Sequence, residues 1–584
     1  MFLRRLRVRK SGKWHSYWAI VRTVRTPRGP RQQLVSYLGE LSATEQREYA
    51  RIRRIVAESE PVQKELFEPQ AGSQWVEVDV QGMRVERVRS FGGVWLALKL
   101  WSTLQLDRLL NACLPERREE IRWGLVGCIL TVARLDCPGS ELAIESRWYE
   151  STALADLLGV PADKINTDRL YRGMDLLLEL KDAIEQHLRG RYKTLFDTEF
   201  DILLYDVTSS YFEGLSEANA LAARGYSRDH RPDCKQVCIA LVVTKDGLPL
   251  AFEVFEGSTH DTETLQQIVE KIETKYGPAS GIWVVDRGVV SEENLQWLRQ
   301  RDGRYLVGTP RSMLKSYEAA LRDQADWAAV YEDVEVKAVP GPEGMETFLL
   351  CRSRARREKE AAIHRRFIQR LQEGLTAIQA AIDSGRLRDP EKIGRRIGAL
   401  LQRNSRAAKA FQVTLTRDET GHLRLEWPER PDWLDWAELS EGAYLLRTNL
   451  VNWKPEQLWK SYMQLTQVEN AFRISKSDLA VRPIFHQTAD RTRAHILVCF
   501  LAYAMWKTLE KLCEASGLGT SARTVQQELQ RLVAVDVVMP TREGLPLRLR
   551  CVAEPDARLK ELLDHLGLKL PRRLRLPVST AAGM

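Results

Sequence analysis

Apolar and polar residues alternate with a period near two across residues 1–40. The segments "FLRRLRVRK", "SYWAIVRTV" and "RQQLVSYLG" carry that alternation between Gly, Pro and Arg turns, which predicts strands. Residues 42–67 are charged and read as a helix, and "WVEVDVQGMRVERVRSF" alternates on both sides of Gly82, which predicts a hairpin. From Val94 to about Leu195 the period lengthens to that of a helix, in "VWLALKLWSTLQLDRLLNAC", "WGLVGCILTVARL" and "LYRGMDLLLELKDAIEQHLRGRY".

The pattern changes again at Asp201. "DILLYD" is a short apolar run ending in Asp206, and "KQVCIALVVT" and "LPLAFEVFEG", split by "KDG", read as a hairpin. "DTETLQQIVEKIETKYG" has a helix start, with Asp261 as its expected N-cap, and a Gly stop. "GIWVVD" is a second apolar run, ending in Asp286; "SEENLQWLRQRD" is a helix opened by Ser291, and "RYLVG" is a strand. The order β-β-β-α-β-α-β predicts a mixed α/β sheet. Strand patterns in "VYEDVEVKAV" and "METFLLCR", a long basic helical stretch at 355–405, and the strands "FQVTLT" and "HLRLEW" then interrupt that rhythm. It resumes with "GAYLLRTNL" and an amphipathic helix in "QVENAFRISKSDLAVRPIFH", which reads as an insertion within a domain whose last helix carries Glu469.

Composition adds limits. With 584 residues, 44% of them apolar, the chain has material for several domains. The net charge of +8 is mild and fits a polyanion partner only where bases cluster, as they do in "MFLRRLRVRKSGK" and "LKLPRRLRLP". Nine scattered cysteines without a CxxC pair argue against a disulfide framework or a Cys-rich zinc module and for a reducing compartment. Arg4, Arg5 and Arg7 break any signal peptide, and "AHILVCFLAYAMW" is too short to span a bilayer, so a soluble cytosolic protein is expected.

Asp206 and Asp286 each end a buried-looking run, and ligand sites in open α/β sheets gather at strand ends. Either Asp alone is more ordinarily a turn former. Glu469 is the third acid. At 100° per residue, Tyr462, Leu465, Phe472, Arg473 and Lys476 fall within about 60° of it on a continuous helix. An Arg473–Glu469 ion pair is the ordinary explanation. The apolar neighbours point instead to partial burial, where a carboxylate needs a partner or a metal. Clustered carboxylates suit two hard divalent cations in phosphoryl transfer, with nearby bases holding phosphates.

At these residues the chain resembles bacterial insertion-sequence transposases of the DDE type, in the IS4-like superfamily and closest to its IS1634-like branch. The resemblance runs from about residue 145 to 510, through "YDVTSSYFEG" (205–214), "GYSRDHRPDCKQ" (225–236), "DGLPLAFEVFEGSTHDTETL" (246–265), "VVDRGVVSEENL" (284–295) and "YMQLTQVENAFRISKSDLAVRPIFH" (462–486). The superfamily signature is Tyr, two residues, Arg, three residues, Glu, six residues, Lys. Here it falls on Tyr462, Leu465, Glu469 and Lys476, with Leu465 in place of the Arg. Arg473 is the candidate to take over the lost phosphate contact. Ser258 stands where the family has Asn.

The resemblance implies an α/β fold with an RNase H-like catalytic core, a mixed sheet flanked by helices. An α+β insertion interrupts it, and N-terminal β and helical DNA-binding regions precede it. The expected boundaries are a β-rich basic region with a linker helix at 1–90, a helical DNA-binding region at 91–196, the first part of the core at 197–310, the insertion at 311–440, the second part with the Glu helix at 441–512, and a helical, basic C-terminal region at 513–584. Asp206, Asp286 and Glu469 would be the catalytic and metal-holding acids, for two Mg²⁺ per site with Mn²⁺ able to substitute and no organic cofactor. Tyr462, Arg473, Lys476, His230, Arg231, Lys235, Arg287, Arg482 and His486 are the candidate DNA contacts. Ser209, Ser210 and Tyr211 are expected as strand and turn residues, not nucleophiles. The implied partners are terminal inverted repeats and target DNA, with a homodimer assembled on the DNA ends, in the bacterial cytosol or nucleoid and without a membrane. A structure-specific nuclease and a domesticated, non-catalytic DNA-binding protein remain the alternatives.

Overall fold

The computed structural model describes residues 2–10, 13–26, 29–39, 76–114, 119–277, 281–341, 344–417, 421–520, 522–542, 544 and 546–574. The helix expected at 42–67 and the end of the basic stretch "LKLPRRLRLP" lie outside the described residues. The chain is mixed α/β and divides into two units, Met1–Ala279 with Thr466–Met584, and Ser280–Leu465.

In the first unit the N-terminal alternation forms the antiparallel strands Phe2–Lys10, Lys13–Thr26 and Gly29–Gly39, as expected. The hairpin expected at 75–91 does not close on itself. Arg84–Ser90 instead pairs with Val533–Met539, which pairs with Leu547–Val552. Alternation specifies a strand but not its partner. A buried ionic network ties this sheet together: Asp536 accepts from Arg89 Nη2 at 2.9 Å and Arg550 Nε at 2.8 Å, and both arginines also reach Asp156.

The helices Gly92–Thr103, Trp123–Asp136, Thr167–Glu179 and Lys181–Phe196 form the expected helical region. The apolar stretch "AHILVCFLAYAMW" lies within the 27-residue helix Ala489–Ala515, which packs against Trp123–Asp136, Thr167–Glu179 and the strand Pro249–Glu256. Protein on nearly every side explains why it is apolar all round. Among the described residues no helix is long and apolar enough to cross a membrane. Ile202–Tyr211, Gln236–Thr244 and Pro249–Glu256 are antiparallel neighbours, and the central strand is buried at every position. The "KDG" turn forms as expected, with Gly247 at φ +82°.

In the second unit, strands run in the order Ala328–Tyr331, Val334–Pro340, Thr347–Ser353, Ala443–Thr448, Arg304–Gly308, Ile282–Val285. The last two are parallel, joined through the helix Glu292–Gln300, whose N-cap Ser291 accepts from the Asn294 amide at 3.1 Å. Val334–Pro340 and Thr347–Ser353, assigned from sequence to an insertion, extend this sheet by pairing through to Ala443–Thr448. The basic stretch is two helices, Arg354–Asp383 and Pro390–Arg403. Gly385 at φ +68° breaks the first; Asp389 caps the second, with Pro390 in its first turn. Leu371, Leu375, Ile393, Phe411 and Leu425 give this part a core of its own.

Candidate active site

Asp206 lies within Ile202–Tyr211, not at its end. It is half-buried between buried neighbours, and the Val207 amide donates to its Oδ1 at 2.8 Å. The following Ser209 and Ser210 look polar enough to end a strand, yet both are 0% exposed. That burial agrees with their reading as strand residues rather than nucleophiles. Asp286 follows Ile282–Val285 directly, as expected, and is exposed in a turn closed by the Val289 amide on its carbonyl at 3.2 Å. Arg287, next in that turn, is exposed as well.

The helix around Glu469 forms as expected but is not continuous with the segment carrying Tyr462. A turn at Gln464–Leu465 separates Pro455–Met463, which carries Tyr462, from Thr466–Ser477. Tyr462 therefore does not share a helical face with Glu469. Its phenol donates to Asp286 Oδ1 at 3.2 Å. Burial and the Asp286 charge together push the phenol well above its ordinary range, so it stays a donor. The approach needs Gly308: a Cβ there would stand 2.4 Å from the phenol oxygen.

Thr466–Ser477 buries Val468, Ala471, Phe472 and Ile474 and packs on the strand of Asp206 and on Gln236–Thr244. Burying the Val, Phe and Ile side chains stabilises by about 1.5–3 kcal/mol each. Glu469 is on the opposite face and exposed, so the partial burial inferred from sequence is not found; nor is the Arg473–Glu469 pair. Arg473 is exposed and reaches Asn470 Oδ1 at 3.4 Å. Leu465 is buried, which accounts for an apolar residue at that signature position. The acid in the first turn and Lys476 in the last both suit the helix dipole.

Beyond this helix, Ile484 bridges Phe212, at the end of the Asp206 strand, which pins Arg482 beside it. Lys476 and Arg482 converge on one carboxylate, Asp229, with Lys476 Nζ at 2.8 Å from Oδ1. Burial lowers the Lys476 ammonium below its ordinary pKa, against the pull of Asp229. Arg228 pairs with Asp261, and its amide donates to Ser209 Oγ at 3.1 Å. Asp261 is thus the first helical residue and a salt-bridge partner, while His260 holds the N-cap position. His230 is exposed, at φ +57°. Arg231 pairs with Asp233 at 2.9 Å, and Lys235 is half-buried at the mouth of the next strand. Sequence reasoning misses Arg228, Asp229 and Gly308, because nothing local in "SRDHRPD" or "RYLVG" names their distant partners.

His486 turns inward. Among the described residues one trio of potential metal ligands converges, Glu141, His486 and His495, with ligand atoms within 4.8 Å of one another. His495 bonds the Val481 carbonyl at 3.1 Å through Nε2, and the buried Arg134 guanidinium stands 3.4 Å from its Nδ1. Both ring nitrogens of His495 are thus taken up, one by a carbonyl and one facing a guanidinium, so this trio is a poor fit to a divalent ion. It braces the segment after the Glu helix against the helical layer.

The acids thus fall on both units: Asp206 and Glu469 on packed elements of the first, Asp286 with Tyr462 in the second. A family model described as Transposase DDE domain matches residues 197–505, more than half of the chain. The chain belongs to that family, whose members are transposases acting on DNA with divalent metal ions. No curated protein matches it.

Proposed function

We propose that this chain is the transposase of an insertion sequence of the IS4-like superfamily, in its IS1634-like branch, built on an RNase H-like core. In this reading it cuts DNA at the element's ends and joins the freed 3′-OH to target DNA. One observation carries the reading beyond family membership. The helix bearing Glu469 packs on the strand bearing Asp206, and cations gather at the end of that helix.

The acids offer only carboxylate oxygens, a donor set that suits Mg²⁺. Asp206, Asp286 and Glu469 would hold two Mg²⁺ ions, with Mn²⁺ able to substitute, to activate the attacking oxygen and stabilise the leaving oxygen. Tyr462 restrains Asp286 through its hydrogen bond. Lys476 and Arg482 bind backbone phosphates beside the reacting bond. Arg473 makes the phosphate contact that a buried Leu465 cannot. Arg287, His230, Arg231 and Lys235 would add further DNA contacts, and His486 braces the Arg482 segment from behind. The active species is a homodimer on paired DNA ends, in the cytosol or nucleoid.

The test is a joining assay with a labelled element end and a supercoiled target. Covalent linkage of the cut 3′ strand to target supports the proposal. Cleavage without joining makes the protein a nuclease, and DNA binding without either makes it a domesticated binder.

A further inference from the structure

The cations assigned to DNA at the end of the Glu helix are occupied by the protein's own acid. Asp229 Oδ1 holds both Lys476 and Arg482, and the Asp229 side chain is 2% exposed. Its Oδ2 is buried without a hydrogen-bond partner. The pairing therefore leaves part of a buried carboxylate's hydrogen-bonding capacity unused. Two cations converging on one oxygen reproduce the way bases grip a phosphate. The Ser227–Asp233 loop that delivers Asp229 holds the adjacent His230 at φ +57°, a conformation non-glycine residues adopt at a cost. A second base of that loop, Arg231, is likewise paired with the loop's own Asp233.

We propose that Asp229 is a resident stand-in for a DNA backbone phosphate. It occupies Lys476 and Arg482 until a phosphodiester displaces it, and the Ser227–Asp233 loop then leaves the DNA path. This inference rests on the transposase reading above. It differs from a positioning role in the sign of its consequence. A positioning acid aids DNA binding, whereas a stand-in competes with DNA.

The experiment measures duplex DNA binding by the full chain at low salt, without divalent ions, for wild type, Asp229→Asn and Asp229→Asn/Lys476→Gln. The expected result is roughly tenfold tighter binding by Asp229→Asn, the scale of one charge-assisted contact, and loss of that gain in the double variant. Equal or weaker binding by a folded Asp229→Asn overturns the proposal. Should that variant fail to fold, hydrogen exchange on the wild type decides. The His230 and Arg231 amides, bonded to the Ser227 carbonyl and hydroxyl, lose protection on adding DNA if the loop is displaced. Unchanged or increased protection overturns the proposal. A wild type that cuts element ends while Asp229→Asn binds no tighter leaves the transposase reading standing without the stand-in. A wild type that binds no duplex overturns both.

Discussion

Tyr462 donates its phenol hydrogen to Asp286 Oδ1 at 3.2 Å, directly above Gly308. The hydrogen bond joins two segments of sequence that the family signature alone leaves unconnected. In the proposed mechanism the task of Tyr462 is to hold that carboxylate still. Tyr462→Phe removes only the donor. A hydrogen bond to a charged group is worth about 1.5–3 kcal/mol, so DNA cleavage should fall by roughly 10- to 100-fold while DNA affinity holds. Gly308→Ala should reproduce the loss by steric means. Cleavage kinetics beside binding isotherms check both, and an undiminished rate in Tyr462→Phe would remove the tyrosine from the site.

The exposed bases of Arg354–Asp383 carry a different prediction. Arg365, Arg366 and Arg370 are exposed and have no ion-pair partner among the described residues. If they track phosphates, changing each to Gln should weaken binding alike for all DNA sequences. The slope of log K against log salt should then fall by about 0.9 for each phosphate no longer neutralised. Salt titrations of the single and triple variants measure this, and an unchanged slope would mark the helix as a merely solvated face.

Asp536 is 0% exposed and sits between Arg89 and Arg550. Asp536→Ala leaves both buried guanidiniums with Asp156 but without the second acid they share. It should cost about 3–5 kcal/mol in denaturant unfolding of the unit. A loss below about 1 kcal/mol would mean that water or Asp156 replaces it.

The buried histidines make a signed prediction for pH. Burial, then the Arg134 and His486 charges, hold His495 well below 6.5, with its Nε2 on the Val481 carbonyl. Burial also lowers His486, as do Arg134 and Arg491, against the pull of Glu141. The Tyr171 ring and the Cys499 thiol face the same cluster. The unfolded chain therefore binds more protons than the native one. This contribution is complete above about pH 6.5 and is lost as pH falls below it. Unfolding midpoints at about pH 7.5 and 5.5 should differ less in His495→Gln than in wild type; an equal difference in both would deny the histidine that role.

Several parts of this picture are written locally in the chain. Ile282–Val285 is a pure apolar run, so Asp286 is visible as its terminus, and Ser291 announces the next helix. The sheet hairpin is visible in "KDG". Other parts depend on partners far along the chain. The apolar run "DILLYD" reads as stopping at Asp206 because nothing nearby reveals that the strand runs on to Tyr211 with Ser209 and Ser210 buried. Arg84–Ser90 looks like half a hairpin because its partner lies at Val533–Met539. The turn at Gln464–Leu465 contains neither Gly nor Pro, so the sequence reads as one continuous helix, and that reading puts Tyr462 on the wrong face. Asp229 carries no local signal at all; only its convergence with Lys476 and Arg482 reveals it.

The central claim is that Glu469 acts with Asp206 and Asp286 on DNA. Glu469 is exposed and makes no ion pair among the described residues, so Glu469→Gln should leave folding intact. The decisive measurement is Mg²⁺-dependent cleavage of DNA bearing the element's ends, wild type beside Glu469→Gln. The account predicts that the variant binds the DNA as wild type does and does not cut it. Equal cutting by both proteins would contradict the account and return Glu469 to the solvated surface of its helix.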